Sequence, residues 1–343
     1  MRPLSTVQPS RGSPRIRRRA WWRWAAVGAM VLAGVPTWSG SERLPLLAGD
    51  VRVEARVYVP KGGWPRHVGA LTPIGAMSLT ARDPAFGGFS AMAAHGGALT
   101  LLNDGGNFVR IRIRGDRLTT LASGALPLGP GTGWDKETRD SESLAFDPAS
   151  GRMWVGFERA NQIWRYAPGF ARAEAWRAPR EMRRWRSNGG AETMARLRDG
   201  RFMVIAEQPR PWASPFRAGL LFTGDPTDGR VAPARFRYRP PRGFSPTDAT
   251  QLPGGDLLIL NRSFHFPLRF AAKLVRVPLA DLRAGATVAG RELATLAPPL
   301  VPENCEGLAI TREGGRVMIW IVTDNDAAWY RPTLLMKFAL DGG

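Results

Sequence analysis

AETMARLRDGRFMVIAE, residues Ala191 to Glu207, decides the fold. A small and an acidic residue open it, an apolar segment follows, Arg198-Asp199-Gly200 reverses the chain, and a second apolar segment ends on another acid. Short segments that alternate or run apolar on either side of a Gly-containing turn form a β-hairpin. The pattern returns in FSAMAAHGGALTLLND (Phe89 to Asp104), SESLAFDPASGRMWVGFE (Ser141 to Glu158), TDATQLPGGDLLILN (Thr247 to Asn261) and CEGLAITREGGRVMIWIVTD (Cys305 to Asp324). The opening polar residues are Ser90, Glu142, Glu192, Asp248 and Glu306, which are 52, 50, 56 and 58 residues apart. This is a little above the roughly 40 to 50 residues of a four-stranded propeller blade.

Further strand-like segments follow each hairpin, among them Asn107 to Ile113, Gln162 to Tyr166, Gly219 to Thr223, Ala272 to Val277 and Thr333 to Leu340. Four antiparallel strands per repeat without helical periodicity predict an all-β protein, a β-propeller of five or six four-stranded blades. The last repeat runs out of chain after three strands. Val51 to Val59 and Ala70 to Ala81 read as strands, so an N-terminal strand is expected to complete that blade and close the ring. A sixth blade built partly from residues 51–81 is the alternative.

The 343-residue chain carries a net charge of +19, and without its first 23 residues 41 basic groups face 29 acidic ones, or +12. Such a balance attracts anions. It has no stripe-like clustering after Arg23, which argues against nucleic acid as a partner. Arg15-Ile16-Arg17-Arg18-Arg19 followed by AWWRWAAVGAMVLAGVP has the basic and apolar regions of an export signal. Residues 1–41 are therefore expected to direct export to the periplasm or beyond, with residues 45–343 forming a monomeric propeller domain. The apolar run of 11 residues from Ala25 to Val35 is short of the roughly 20 needed to span a bilayer, although flanking tryptophans leave an inner-membrane tether through residues 20–36 as the alternative. One cysteine, Cys305, and three scattered histidines exclude a disulfide framework, a zinc site of ordinary spacing and a histidine-based triad.

In a blade the first strand lines the channel and the second returns beside it, so the start of one and the end of the other share a mouth. That places Ser90, Glu142, Glu192, Asp248 and Glu306 in one layer, and Asp104, Glu158, Glu207, Asn261 and Asp324 in a second. Converging carboxylates raise one another's pKa or demand a cation. An all-oxygen set suits Ca2+, with Asp104, Glu142, Glu158, Glu192, Glu207, Asp248, Glu306 and Asp324 as candidate ligands. The alternative is that each acid bonds to backbone amides or pairs with an arginine. The loops at the same mouth carry many arginines and aromatics, including Arg110, Arg139, Arg159, Arg210, Arg262, Trp134, Trp212 and Trp329. Arg139, Arg262 and Arg110 are the candidates to grip a small anionic ester, with Glu142, Glu192 and Glu306 at the reacting centre. Ser90 lacks the glycine pattern and following helix of a nucleophile elbow.

Together, GGFSAM with LLNDGGNF, RDSESLAFDPASGRMWVGFE with NQIWRY, NGGAETMARLRDGRFMVIAE, GFSPTDATQLPGGDLLILNRSF, and ENCEGLAI with IWIVTDND and LLMKF resemble the bacterial family called esterase-like activity of phytase. The resemblance spans about residues 68 to 340. It implies an exported propeller distantly similar to calcium-dependent propeller phytases, with a hydrolase activity. It also implies that Asp104, Glu142, Glu158, Glu192, Glu207, Glu306 and Asp324 are the acids that matter. Propeller phytases add lysines around phosphate, whereas this chain has only Lys61, Lys136, Lys273 and Lys337, which argues against inositol phosphates. Two alternatives are a calcium-dependent lactonase or carboxylesterase using Glu142, Asn261 and Asp324, and a non-catalytic envelope binding protein.

Overall fold

Strand alternation and glycine turns give twenty-two strands in the computed structural model, which describes residues 44–131, 135–209, 214–266, 269–326, 328 and 330–342. The expected export segment and tether, together with Trp134, Arg210, Trp212 and Trp329, lie outside the described residues. Among the described residues no helix is long and apolar enough to cross a membrane.

Two N-terminal strands, β1 (Glu54–Tyr58) and β2 (Leu71–Thr80), precede the first hairpin. The first blade is β3 (Phe89–His95), β4 (Ala98–Asn103), β5 (Asn107–Arg114) and β6 (Arg117–Ala125). A helical turn at Lys136–Arg139 leads into the second blade, made of β7 (Ser141–Phe146), β8 (Met153–Phe157), β9 (Gln162–Tyr166) and β10 (Ala173–Arg177). The third contains β11 (Ala191–Arg196), β12 (Phe202–Ala206), β13 (Arg217–Phe222) and β14 (Ala234–Tyr238), and the fourth β15 (Ser245–Gln251), β16 (Leu257–His265) and β17 (Arg269–Val277). The short β18 (Thr287–Val288) crosses back to pair in parallel with β14, and β19 (Arg291–Leu296) completes the fourth blade. The last blade holds β20 (Asn304–Glu313), β21 (Arg316–Asp324) and β22 (Thr333–Leu340). Five sheets make a five-bladed propeller, so the six-blade alternative falls.

Ring closure is more extensive than a single strand. β2 pairs antiparallel with β22, from Leu71 opposite Leu340 to Leu79 opposite Thr333, and β1 then pairs with β2. The sheet thus runs β1-β2-β22-β21-β20, and both N-terminal candidate strands are spent on it. Before β1 the chain lies along the first blade. The amides of Leu47, Val51 and Val53 donate to Asn107 Oδ1, Ser123 Oγ and Thr120 Oγ1, each at 3.0 Å, while the three side chains are buried. This strap joins the first blade to the last.

Each blade is apolar on both faces because it is buried on both, and the core is divided among the five seams. Phe89, Leu101, Val109 and Ile111 of the first blade meet Leu79, Val322 and Leu335 of the last around the strap residues. Leu260, Leu274 and Leu296 meet Ile321, Met336 and Phe338 across the next seam. Full burial of such side chains contributes about 1.5–3 kcal/mol each. The innermost strands β3, β7, β11, β15 and β20 neighbour one another in a closed circuit and enclose the channel.

Candidate functional site

All five innermost strands carry a β-bulge at the same height. The register against the second strand skips one residue between Phe89 and Ala91, Ser141 and Ser143, Ala191 and Thr193, Pro246 and Asp248, and Cys305 and Gly307. A bulge leaves one residue unpaired and re-aims its side chain. The re-aimed residues are Ser90, Glu142, Glu192, Thr247 and Glu306. One step past the facing residue on the second strand stand Asp104, Glu158, Glu207, Arg262 and Asp324. Two turns of polar side chains therefore circle one mouth, and four blades contribute an acid to the outer turn while the fourth contributes an arginine.

The fourth blade corrects the expected layers by one residue at each position. Asp248 follows the bulge, and its carboxylate accepts from the amides of Ala249 at 2.8 Å and Leu308 at 2.7 Å. A third amide, Met92, also reaches it, so this buried acid ties together inner strands of three blades. Burial pushes its pKa well above the usual carboxylate range, against the pull of those amides. Asn261 is likewise buried, accepting from the Tyr238 hydroxyl at 3.0 Å and donating to the Ile259 carbonyl at 3.1 Å. The set Glu142, Asn261 and Asp324 is therefore not assembled at one opening.

The mouth encloses about 410 Å³ and is lined by nine carboxylates, Asp104, Asp140, Glu142, Glu158, Glu192, Glu207, Glu306, Asp324 and Asp326, against the two guanidiniums of Arg159 and Arg262. The volume is that of a small-molecule site. Within it, single oxygens of Asp140, Glu142 and Glu158 lie within 4.8 Å of one another, and so do those of Glu158, Glu192 and Glu207. Burial foremost, and then the neighbouring carboxylates, push Glu142 and Glu192 well above the carboxylate range and Glu158 up to about 8. Glu306 is pushed up to about 7, burial outweighing the opposing pull of Arg262. Among the described residues Glu192 Oε2 is buried without a hydrogen-bond partner, so one oxygen of the inner turn is left for a ligand. Sharing Glu158 between the two triads gives an oxygen-only donor set that a hard cation fits.

The expected anion-gripping arginines separate. Arg262 sits on β16 rather than in a loop, its Nη2 3.0 Å from Glu207 and 3.7 Å from Glu192, and its Nε 2.9 Å from Glu306. It is an internal counter-ion to three glutamates, with one side chain still facing the cavity. Arg139 is buried below the rim and donates to the carbonyls of Gly105 at 2.9 Å, Gly106 at 2.8 Å and Leu126 at 3.2 Å. It fixes the turn that presents Asp104. At Gly106, where φ is +70°, an added Cβ would stand 2.6 Å from Arg139 Nε, so glycine is required both for the backbone and for the clamp. Arg110 lies beside the Gly96 turn at the far end of its hairpin, away from the mouth. Asp140, which pairs with Arg159 at 2.8 Å, and Asp326 line the mouth although the hairpin pattern does not single them out. Their signal is proximity: each lies two residues from an acid that the pattern marks, Glu142 or Asp324.

A family model described as phytase-like, esterase-like activity of phytase, matches residues 84–327. No curated protein matches the chain in sequence. Similar solved structures include Myxococcus xanthus glutaminyl cyclase, 12% identical over 85% of this chain and 99% of that one, with a TM-score of 0.41. The major allergen Mala s 1 of Malassezia sympodialis is 10% identical over 88% of this chain and 96% of that one, with a TM-score of 0.43.

Proposed function

The chain belongs to the phytase-like family, esterase-like activity of phytase, and from that membership we propose a metal-dependent hydrolase of anionic esters that works at the acidic mouth. The observation that carries this reading is the imbalance of nine carboxylates against two guanidiniums around one small cavity. Asp140, Glu142 and Glu158 would hold the ion on the side away from Arg262, and Glu192 and Glu207 extend the same donor set. Ca2+ suits oxygen ligands without thiol or imidazole. A bound ion would supply Lewis-acid polarisation of the ester and would offset the negative field that otherwise repels an anion.

This chain's own residues supply the rest. Arg262 faces the cavity from among Glu192, Glu207 and Glu306, where it can take one oxygen of the anion while remaining anchored. Glu306, pushed up to about 7 and held by the Asn304 amide at 2.7 Å, is close to half-protonated at neutral pH, as an acid-base residue at that position needs to be. Arg139 keeps Asp104 in place from below. With the first 41 residues as an export signal, the site would work outside the cytoplasm on small anions rather than nucleic acid.

Turnover of phosphate monoesters, phosphate diesters and lactones, measured with and without chelator, tests the reading. Chelator-sensitive hydrolysis of a phosphate ester is expected. Absence of calorimetric Ca2+ binding, or turnover indifferent to chelator, would overturn it.

A further inference from the structure

The carboxylates of the mouth fall into two sectors. The triads that share Glu158 belong to the second and third blades. Asp104, in the β4–β5 turn of the first blade, and Asp324, at the end of β21 in the last, meet instead across the seam where the ring closes. Gly88 marks the crossing. Its amide donates to Asn325 Oδ1 of the last blade at 2.9 Å, and its carbonyl accepts from the Asp104 amide of the first at 3.0 Å. An added Cβ there would stand 2.9 Å from Asp104 Oδ1 and 3.9 Å from Asp324 Oδ1, and φ is +62°. Both carboxylates therefore border a small space that glycine keeps open.

Asn304 supplies a third oxygen. It is the direct cross-strand partner of Asp324, so the two side chains stand on the same face of the last blade. That face is turned to the first blade, because Trp320 and Val322, which alternate with Asp324 along β21, pack there with Phe89 and Leu101. Asn304 Nδ2 donates to Glu306 Oε1 at 2.7 Å, which fixes the orientation of the amide. Its Oδ1 is buried without a hydrogen-bond partner among the described residues, in a mouth-lining side chain only 3% exposed. An orphaned buried acceptor beside two carboxylates calls for an unseen partner. A cation answers the charge as well as the acceptor, whereas a water answers only the acceptor. The nearest guanidinium, Arg331, is spent on Glu303 at 2.9 Å and on Asp326, and Asp324 Oδ1 otherwise accepts only the Asp326 amide, at 2.7 Å. Two carboxylates and an amide oxygen form a hard donor set that suits Ca2+, with waters completing its shell. We propose that Asp104, Asp324 and Asn304 form a second Ca2+ site, separate from the triads around Glu158, which clasps the first blade to the last at the inner end of the closure seam. The strap and β2 hold the same seam from outside. The clasp needs no substrate, so it stands independently of ester hydrolysis.

The test is calorimetric titration of the whole protein with Ca2+, after treatment with chelator and its removal, with hydrogen exchange to locate each ion. Two ions per chain are expected. Asp324→Asn and Asn304→Leu, both close to the native size, should each weaken one ion at least about tenfold and leave the other. Glu142→Gln should do the converse. Ca2+ should slow amide exchange around Gly88 and Asp104 at least about tenfold in the native chain and in Glu142→Gln, but not in Asp324→Asn. No binding, a single ion lost only with Glu142→Gln, full affinity for both ions in Asp324→Asn, or exchange at Gly88 indifferent to Ca2+ would each overturn the assignment. A single ion lost only with Asp324→Asn would uphold the clasp and remove the ion from the triads, so the two metal assignments fail separately. If Asn304→Leu does not fold, Asp324→Asn decides alone.

Discussion

The two ends of the central channel are built from the same five strands and have opposite chemistry. At the bulged end, nine carboxylates and two guanidiniums surround about 410 Å³. At the other, about 220 Å³ is lined by Met92, Leu144, Phe146, Met194, Ala249 and Leu308 among others, with Arg196 and Arg198 as its charged residues. The bulges divide one end from the other. Above them the unpaired residues of four strands, Ser90, Glu142, Glu192 and Glu306, are turned into the opening; below them the pairing is regular, and buried side chains such as Met92, Met194 and Leu308 close the channel. Polarity within this tube follows a backbone irregularity repeated five times, which confines any ion chemistry to one face.

Four experiments would break or sharpen that contrast. The largest effect should come from removing residues 1–85, which deletes the strap with β1 and β2 and exposes the edge of β22. Both ends depend on the closed ring, so no cooperative thermal transition is expected, whereas a chain beginning at residue 43 should melt as one unit. Equal melting temperatures for the two would refute closure as the source of stability.

Next, Glu142→Gln, Glu192→Gln and Glu306→Gln combined should reduce hydrolysis at least about thousandfold while leaving a cooperative melting transition, because side-chain size is kept. Retained turnover would separate the mouth from the chemistry. A matched pair of substitutions then compares the ends directly. Arg262→Gln leaves Glu192, Glu207 and Glu306 without their cation and should cost about 3–5 kcal/mol in the absence of metal, with Ca2+ restoring much of it. Met194→Ala at the end opposite the mouth should cost about 2–5 kcal/mol. Ca2+ should not restore it, and rescue of both variants alike would erase the distinction.

The smallest effect is in pH. Glu158 is raised from 4.5 to about 8 and Glu306 from 4.5 to about 7, so between these limits the folded state holds protons that the unfolded chain has released. Unfolding stability must therefore fall as pH rises through that window. The metal-free Tm should drop by several degrees from pH 5 to pH 8, and saturating Ca2+ should flatten the slope because ligation replaces the protons. A metal-free Tm that climbs over this range would show that the carboxylates are already ionised and paired.

Much of this architecture is legible in the sequence, because hairpin periodicity and the unfinished last repeat are patterns of the chain itself. What escapes is register. In four blades the acid of the inner turn coincides with, or is replaced by serine at, the bulge; in the fourth, Thr247-Asp248 and Asn261-Arg262 each offer two adjacent polar residues. Matching by residue type chooses Asp248 and Asn261, whereas pairing makes Thr247 the bulge residue and brings Arg262 to the mouth. A one-residue shift turns a side chain to the opposite face. The strap from Leu47 to Val53 is equally hidden, since its amides are satisfied by side chains of another blade rather than by a ladder with its own alternation.

Ring closure also fixes the order in which the fold can be completed. Leu71 pairs with Leu340, so the hairpin of β1 and β2 must wait for nearly the whole chain to emerge before its partner strand exists. Contacts of such sequence separation are slow to form, and an unpaired strand edge is aggregation-prone while it waits. The exposed edge valines Val57 and Val59 belong to that waiting hairpin. A nascent chain therefore carries an adhesive edge first and covers it last, and its yield should depend on how quickly the C-terminal strand arrives.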